Sequence, residues 1–377
     1  MNINIKDIVK DFRNNNYNIL LDCIVGSGKT TTLIEIAKEE VLLNNVLILT
    51  YNKRLKSETR NIILKSDIKS DYKIDVHSFH SFFHKYFSEG SSDVGLLNVL
   101  KKIYHNVKIP YYSVIIIDEA QDLNPLYYEA CGFIISNVIF NNKDLNPPRI
   151  CIAGDHYQTI YGYNEADSRY MRFCDNFFNF NELPWKKYNF EETFRISGIN
   201  LNFINYLMGT SLKSSVSSQN SNKPRYIICN QYSDRPFKEI LWYLDNGYKY
   251  SDIFVLARSA GYLIEISNKL SNKGIPIECS IVGGISSSGN KIVLSSFHQV
   301  KGLERKVVII LNFDSDPRLE LSPELYVALT RSTERISVIH HHRNNFLGSI
   351  TKGRSSNFAM TILSKLCYVE GSLKLQD

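Results

Sequence analysis

The chain has 377 residues, a net charge of +6, 44% hydrophobic and 22% charged residues, a balance that suits a soluble globular protein with room for two ordinary domains. Its seven cysteines form no Cys-x-x-Cys pair, which argues against a disulfide framework and for a reducing compartment. The sequence opens without a basic-then-apolar leader and contains no apolar run of membrane-spanning length. The expected setting is therefore intracellular and soluble, in cytoplasm or nucleus, with no membrane partner.

In chain order, Tyr17 to Asp22 reads as a buried strand. Ile24-Val25-Gly26-Ser27-Gly28-Lys29-Thr30-Thr31 follows as a glycine turn, and Thr32 to Glu40 has helical apolar spacing. Strand, glycine turn and helix start together make an anion cradle. The glycines let backbone N–H groups converge on phosphate oxygens, and the helix dipole favours negative charge there. Gly26, Ser27, Gly28, Lys29, Thr30 and Thr31 are thus the expected nucleotide-phosphate residues. Lys29 reaches the β- and γ-phosphates, and the Thr30 hydroxyl sits on Mg2+. The first glycine of the usual pattern is replaced by Cys23.

Further strands are expected at Val46–Thr50, Ser113–Ile117 and Ile150–Ala153, with helices over 52–64 and 78–86 between them. A second series follows at 226–228, 253–257, 292–294, 307–311 and 336–339, with helices at 260–272 and 325–329. Such alternation implies α/β architecture, with parallel sheets covered by helices on both faces. Asn181 to Trp185 reads as a boundary, giving expected domains 1–185 and 186–377, and the polar run 211–223 reads as a solvated loop. His77, His80 and His84 share a helical spacing, but no cysteine or carboxylate completes a metal set.

The strand 114–117 ends in Asp118-Glu119-Ala120-Gln121-Asp122. A carboxylate there, beside the glycine turn, is placed to hold Mg2+ through water, and its neighbour can accept a proton from an attacking water. This stretch resembles motif II of superfamily 1 helicases of the UvrD/Rep type. Motif III of that family resembles Gly154 to Tyr163, motif IV Thr193-Phe194-Arg195-Ile196-Ser197, motif V Ser296 to Glu304, and motif VI Tyr326 to Arg331. They occur in the family's order over residues 23–331.

The resemblance implies two RecA-like domains with one ATP and Mg2+ at their interface. It further implies ATP-dependent 3′→5′ movement along single-stranded DNA. Lys29, Asp118, Glu119, Gln158, Arg195 and Arg331 become the expected catalytic residues. Phe194 is expected to stack on adenine, and Glu304 to meet the ribose. Thr50, Tyr51, Asn52, His77, Ser78, Tyr161, Tyr163 and His298 match positions where the family contacts the strand. A forked duplex and an accessory repair or replication protein are further expected partners. Departures from the family pattern include the lack of glutamine in residues 1–22, Asn164 where an arginine is common, and Asp75 in place of a threonine. Little room remains for the family's inserted subdomains, which favours strand movement over unaided unwinding. An RNA helicase and a nucleotide-switched binding or assembly protein are the alternative readings.

Overall fold

Short apolar runs set between helices fold here into parallel sheets. A computed structural model describes residues 4–51, 53–66, 70–102, 107–216, 223–230, 232–258, 260–280, 289–312, 322–341 and 356–371. The chain divides into two units, Met1–Glu191 and Glu192–Asp377.

The first unit runs α1 (Ile5–Asn14), β1 (Asn18–Cys23), α2 (Lys29–Glu40), β2 (Val46–Thr50), α3 (Lys53–Leu64), β3 (Ile74–Ser78), α4 (Phe79–Phe87), α5 (Asp93–Lys101) and β4 (Val114–Ile117). It continues with α6 (Pro125–Asn141), β5 (Arg149–Gly154), short α7 (Arg169–Arg172) and α8 (Cys174–Phe177), and β6 (Trp185–Phe190). Among the described residues its sheet has the order β3-β2-β4-β5-β1-β6, and every pairing is parallel.

Successive strand residues point to opposite faces, and the core sorts accordingly. Leu47, Leu49, Ile115, Ile117, Ile150 and Ile152 pack with Phe79, Phe82 and Phe83 of α4 and with the apolar side of α6. Their alternates Val46, Ile48, Val114, Ile116, Cys151 and Ala153 pack with Phe12 of α1 and with Leu33 and Ile36 of α2. Burial on both faces explains why these strands are continuous apolar runs. At the sheet's amino-terminal edge the fully buried Asn18 faces Asn181, amide to amide at 2.9 Å. Asn18 also accepts from Ile150 N–H at 2.8 Å, and Asn181 donates to Pro148 C=O at 2.6 Å.

The unit boundary lies beyond the expected 185/186 division. Trp185–Phe190 pairs along the whole of β1, so a cut at 185 removes a hydrogen-bonded edge strand from its sheet.

The second unit contains β7 (Glu192–Ser197), α9 (Gly198–Met208), β8 (Lys213–Val216), β9 (Arg225–Cys229), α10 (Arg235–Asp245), β10 (Ile253–Ala257), α11 (Ala260–Asn272), β11 (Ile277–Cys279) and β12 (Ile292–Ser296). After these come β13 (Arg305–Asn312), α12 (Pro323–Leu329), β14 (Ser332–His341), α13 (Ser356–Leu366) and β15 (Tyr368–Glu370). Its larger sheet has the order β11-β12-β10-β13-β14-β9-β15 among the described residues, again parallel throughout. The run 211–223 is not wholly loop. Lys213–Val216 pairs with β7, and the Asn205 amide brackets Leu212, donating to its C=O at 2.9 Å and accepting from its N–H at 3.1 Å. Residues 217–222 lie outside the described residues.

One buried ion pair ties α2 to β5. Glu40, 1% exposed, meets the Arg149 guanidinium, which also donates to Phe12 C=O and covers the Phe12 ring at 4.5 Å. Burial pushes the Glu40 carboxyl up, with Arg149 opposing it. Arg149→Ala leaves that carboxylate buried without its partner, and the expected loss of unfolding free energy is about 3–5 kcal/mol. Urea denaturation reads it directly, and a loss under about 1 kcal/mol, as for an exposed pair, contradicts the assignment.

Candidate nucleotide and nucleic-acid site

Because the strands of the first sheet are parallel, the loops leaving β1, β4 and β5 emerge at one edge, where open α/β sheets place their ligands. The loop after β1 makes its turn with left-handed backbone at Gly26 (φ 67°) and Gly28 (φ 93°), a conformation glycine adopts at no steric cost. Helix α2 then begins at Lys29, so its first N–H groups and positive dipole end face the turn. Ser27 is buried, and among the described residues its hydroxyl meets no hydrogen-bond partner of good geometry. A buried hydroxyl left so costs about 1–3 kcal/mol, which an anion oxygen in the turn would offset.

Lys29 Nζ lies 2.5 Å from Asp118 Oδ1 and 2.6 Å from Glu119 Oε1. Burial opposes the charge on Lys29, but these two carboxylates outweigh it and hold the ammonium above the ordinary lysine range. Burial pushes the Asp118 carboxyl up against the pull of Lys29. Glu119 stands in left-handed backbone, φ 57° and ψ 41°, with its N–H donating to Asp118 Oδ1 at 2.8 Å. Such a conformation is uncommon for a side-chain-bearing residue. After β5, Gln158 Nε2 donates to the buried Asp155 Oδ2 at 2.7 Å, and Tyr157 N–H donates to Asp155 Oδ1 at 3.0 Å. Burial pushes the Asp155 carboxyl up to about 6.

The aromatic residues form a connected series. Tyr51 stacks on Tyr161 with centroids 5.3 Å apart, and Tyr163 meets Tyr161 edge-on at 6.0 Å. Tyr127 meets Tyr51 edge-on at 5.7 Å and stacks on Phe79 at 4.9 Å. Tyr163, 68% exposed, is the ring most open to solvent in this series. Burial pushes the Tyr51 hydroxyl up to about 12, opposed by a hydrogen bond from the Asn164 side chain. Asn164 therefore belongs to the aromatic cluster, and Tyr127 is a member that sequence reading missed. Its position on α6, opened by the Asn124 cap and Pro125, was the available signal.

Three expected strand contacts are corrected. Thr50, His77 and Ser78 are all buried, so their side chains are not offered to a polymer. His77 meets the Phe82 ring at 5.7 Å, and its Nδ1 is 3.3 Å from Ser81 Oγ. Ser78 caps α4, its hydroxyl accepting from Ser81 N–H. Asp75 accepts from Tyr112 OH at 2.8 Å, which gives the threonine-to-aspartate departure a structural use. Asn52 lies outside the described residues. His80 pairs with Asp93 at 2.8 Å, and His84 Nδ1 meets Ser88 C=O at 3.0 Å, so the three histidines have separate partners.

In the second unit Phe194 is exposed on β7. Arg195 Nη2 and Glu304 Oε1 are 2.6 Å apart, so two residues expected on the nucleotide pair with each other. Arg331 departs from an exposed finger. It is 2% exposed and donates from Nε to Val327 C=O at 2.9 Å and from Nη2 to Thr330 Oγ1 at 3.2 Å. His298 Nε2 lies 3.8 Å from Glu324 Oε1.

A glycine turn entering a helix, a lysine and two carboxylates at one edge of a parallel sheet define the P-loop, RecA-like fold. The UvrD/REP helicase N-terminal domain family matches residues 94–179. A probable DNA helicase II homolog from Mycoplasma capricolum is 26% identical over 227 residues, 57% of this chain and 28% of that protein. The ATP-dependent DNA helicase srs2 of Schizosaccharomyces pombe is 26% identical over 169 residues, 43% of this chain and 18% of that protein. Among solved structures, the arterivirus nonstructural protein 10 helicase superposes with a TM-score of 0.43 at 9% identity, covering 89% of this chain and 61% of that one. Over these stretches the chain is similar to UvrD-like helicases, and it spans less than a third of the length of the curated relatives it matches. Among the described residues no helix is long and apolar enough to cross a membrane.

Buried His77 yields a pH prediction. Burial first, and then the positive charge of Lys85, hold its imidazole down at about 4, against an ordinary 6.5. Between those values the unfolded chain binds the extra proton, so stability rises with pH through this window and is lost as pH falls from 6.5 towards 4. Replacing His77 with Phe is expected to flatten this acid limb by roughly 2–3 kcal/mol in unfolding experiments across the range. An unchanged slope contradicts the burial assignment.

Proposed function

We propose that the chain is an ATP-hydrolysing motor acting on single-stranded DNA. The observation that carries this reading is the convergence of Lys29, Asp118 and Glu119 beside the glycine turn, with Gln158 on the loop of the next strand. The turn's N–H groups and Lys29 bind the triphosphate, and Lys29 exchanges its carboxylate partners for β- and γ-phosphate oxygens. Thr30 and Asp118 offer the hard oxygen ligands that fit Mg2+, which when bound neutralises charge on the phosphates. Glu119 takes the proton of the attacking water, and Gln158 orients that water. Arg195 and Arg331 supply positive charge to the transferring phosphoryl group. Arg195 would leave Glu304 to do so, and Arg331 would leave its backbone acceptors. Phe194 stacks on the base. Tyr51, Tyr161 and Tyr163 offer π-faces to bases of the strand, and His298 is a further contact.

The matched relatives are named as DNA helicases, and this supports DNA over RNA as the polymer. Movement from 3′ to 5′ follows from the family resemblance and is read with a forked duplex bearing one free tail.

In a steady-state ATPase assay with and without an oligo-dT strand, the wild type is expected to be stimulated by the strand. Lys29→Ala is expected to lose turnover by at least about a hundredfold. Equal rates for the two proteins exclude the motor and leave a nucleotide-switched binding protein as the reading.

Tyr163→Ala is expected to weaken oligo-dT binding by about 1–3 kcal/mol, one stacked base, while ATP affinity is kept. Fluorescence anisotropy of a labelled strand measures it, and unchanged binding removes the exposed ring from the interface.

A further inference from the structure

Gln121 is fully buried between the loops that leave β4 and β5. Its Nε2 donates to Glu119 Oε2 at 2.5 Å, and its Oε1 accepts from the Asp155 backbone N–H at 3.2 Å. A carboxylate only accepts and a backbone N–H only donates, so both bonds require an amide in this one orientation. Asp155 extends the connection through its bonds to Gln158 Nε2 and Tyr157 N–H, and the same loop runs on to Tyr161 and Tyr163.

Two further features keep the amide in place. A Cβ on Gly154 would stand 2.3 Å from Gln121 Oε1 and 2.5 Å from Met171 Sδ, so glycine leaves the space that the amide fills. The left-handed backbone at Glu119 opens a tight turn, closed by Asp122 N–H donating to Glu119 C=O at 2.9 Å. Gln121 is held inside that turn.

We infer that Gln121 is a positioning residue that couples the aromatic strand-contact loop to the carboxylate accepting the water's proton. This rests on the functional reading above for Glu119, Tyr161 and Tyr163. Movement of the loop shifts the Asp155 N–H, and the amide must follow or leave a buried donor unsatisfied. Because the same amide holds Glu119 Oε2, the carboxylate moves with it. Strand occupancy is thereby felt at the hydrolytic centre.

A plain structural strut would lower ATPase equally with and without strand, whereas a coupler sets the ratio of the two rates. The test uses the 377-residue chain, with saturating ATP and oligo-dT as the strand. Gln121→Met has similar length but neither donor nor acceptor. Its expected effect is a fall of about tenfold or more in strand stimulation, with KM for ATP and oligo-dT affinity within about threefold of wild type. Wild type stimulated and Gln121→Met stimulated by the same factor overturns the inference and leaves the motor reading intact. Wild type unstimulated overturns the motor reading, and the inference with it. Gly154→Ala displaces the amide without altering a polar group, so it serves where Gln121→Met fails to fold. A lowered ratio in Gly154→Ala supports the coupling, and an unchanged ratio overturns it.

Discussion

Lys29 between Asp118 and Glu119 is the interaction on which the rest of the first unit depends. Opposite charges at 2.5 and 2.6 Å in a largely buried setting attract far more strongly than they would in water. They also lose their hydration, so the arrangement holds only where geometry is fixed in advance. Parallel strands fix it. The lysine follows β1, the carboxylates follow β4, and β5 lies hydrogen-bonded between them. The apolar packing on both faces of the sheet thus acts at a distance, by keeping three loop origins in register. On the proposed function, incoming phosphate oxygens would meet a lysine already oriented and already charged, and the carboxylates it releases would become available for other work.

Much of this is legible in the hydrophobic pattern of the sequence. Strands buried on both faces, such as 46–50, 114–117 and 253–257, stand out as unbroken apolar runs. β6 did not, because Trp185-Lys186-Lys187-Tyr188-Asn189-Phe190 carries the charged residues typical of a sheet edge. β8 was hidden for a related reason: its Lys213-Ser214-Ser215-Val216 has little apolar content, and Asn205 and Ser214 fix it through polar contacts. Lys29, Asp118 and Glu119 were legible because spacing along the chain fixes their place at strand ends. Gln121 was visible only as one letter of a motif, since its use depends on meeting Asp155, distant in sequence. His77 marks the opposite failure. Its motif position suggested contact with the strand, while burial, which spacing does not reveal, turns its side chain toward its own unit.

The amide pair of Asn18 and Asn181 carries a consequence for how the first unit is made. β1, which presents the glycine turn, has β5 on one side and β6 on the other. Both neighbours leave the ribosome more than a hundred residues after it. During synthesis the strand nearest the chemistry therefore waits with both edges unpaired, and its buried asparagine has no amide to face. Non-local pairing of this kind is slow and exposes aggregation-prone edges. Polar Asn18 at the start of the run makes a wrong partner costly, because a mismatched strand would bury its amide unsatisfied. One buried hydrogen-bonding group can thus act as a proofreader of assembly, accepting completion only when residues near 181 arrive.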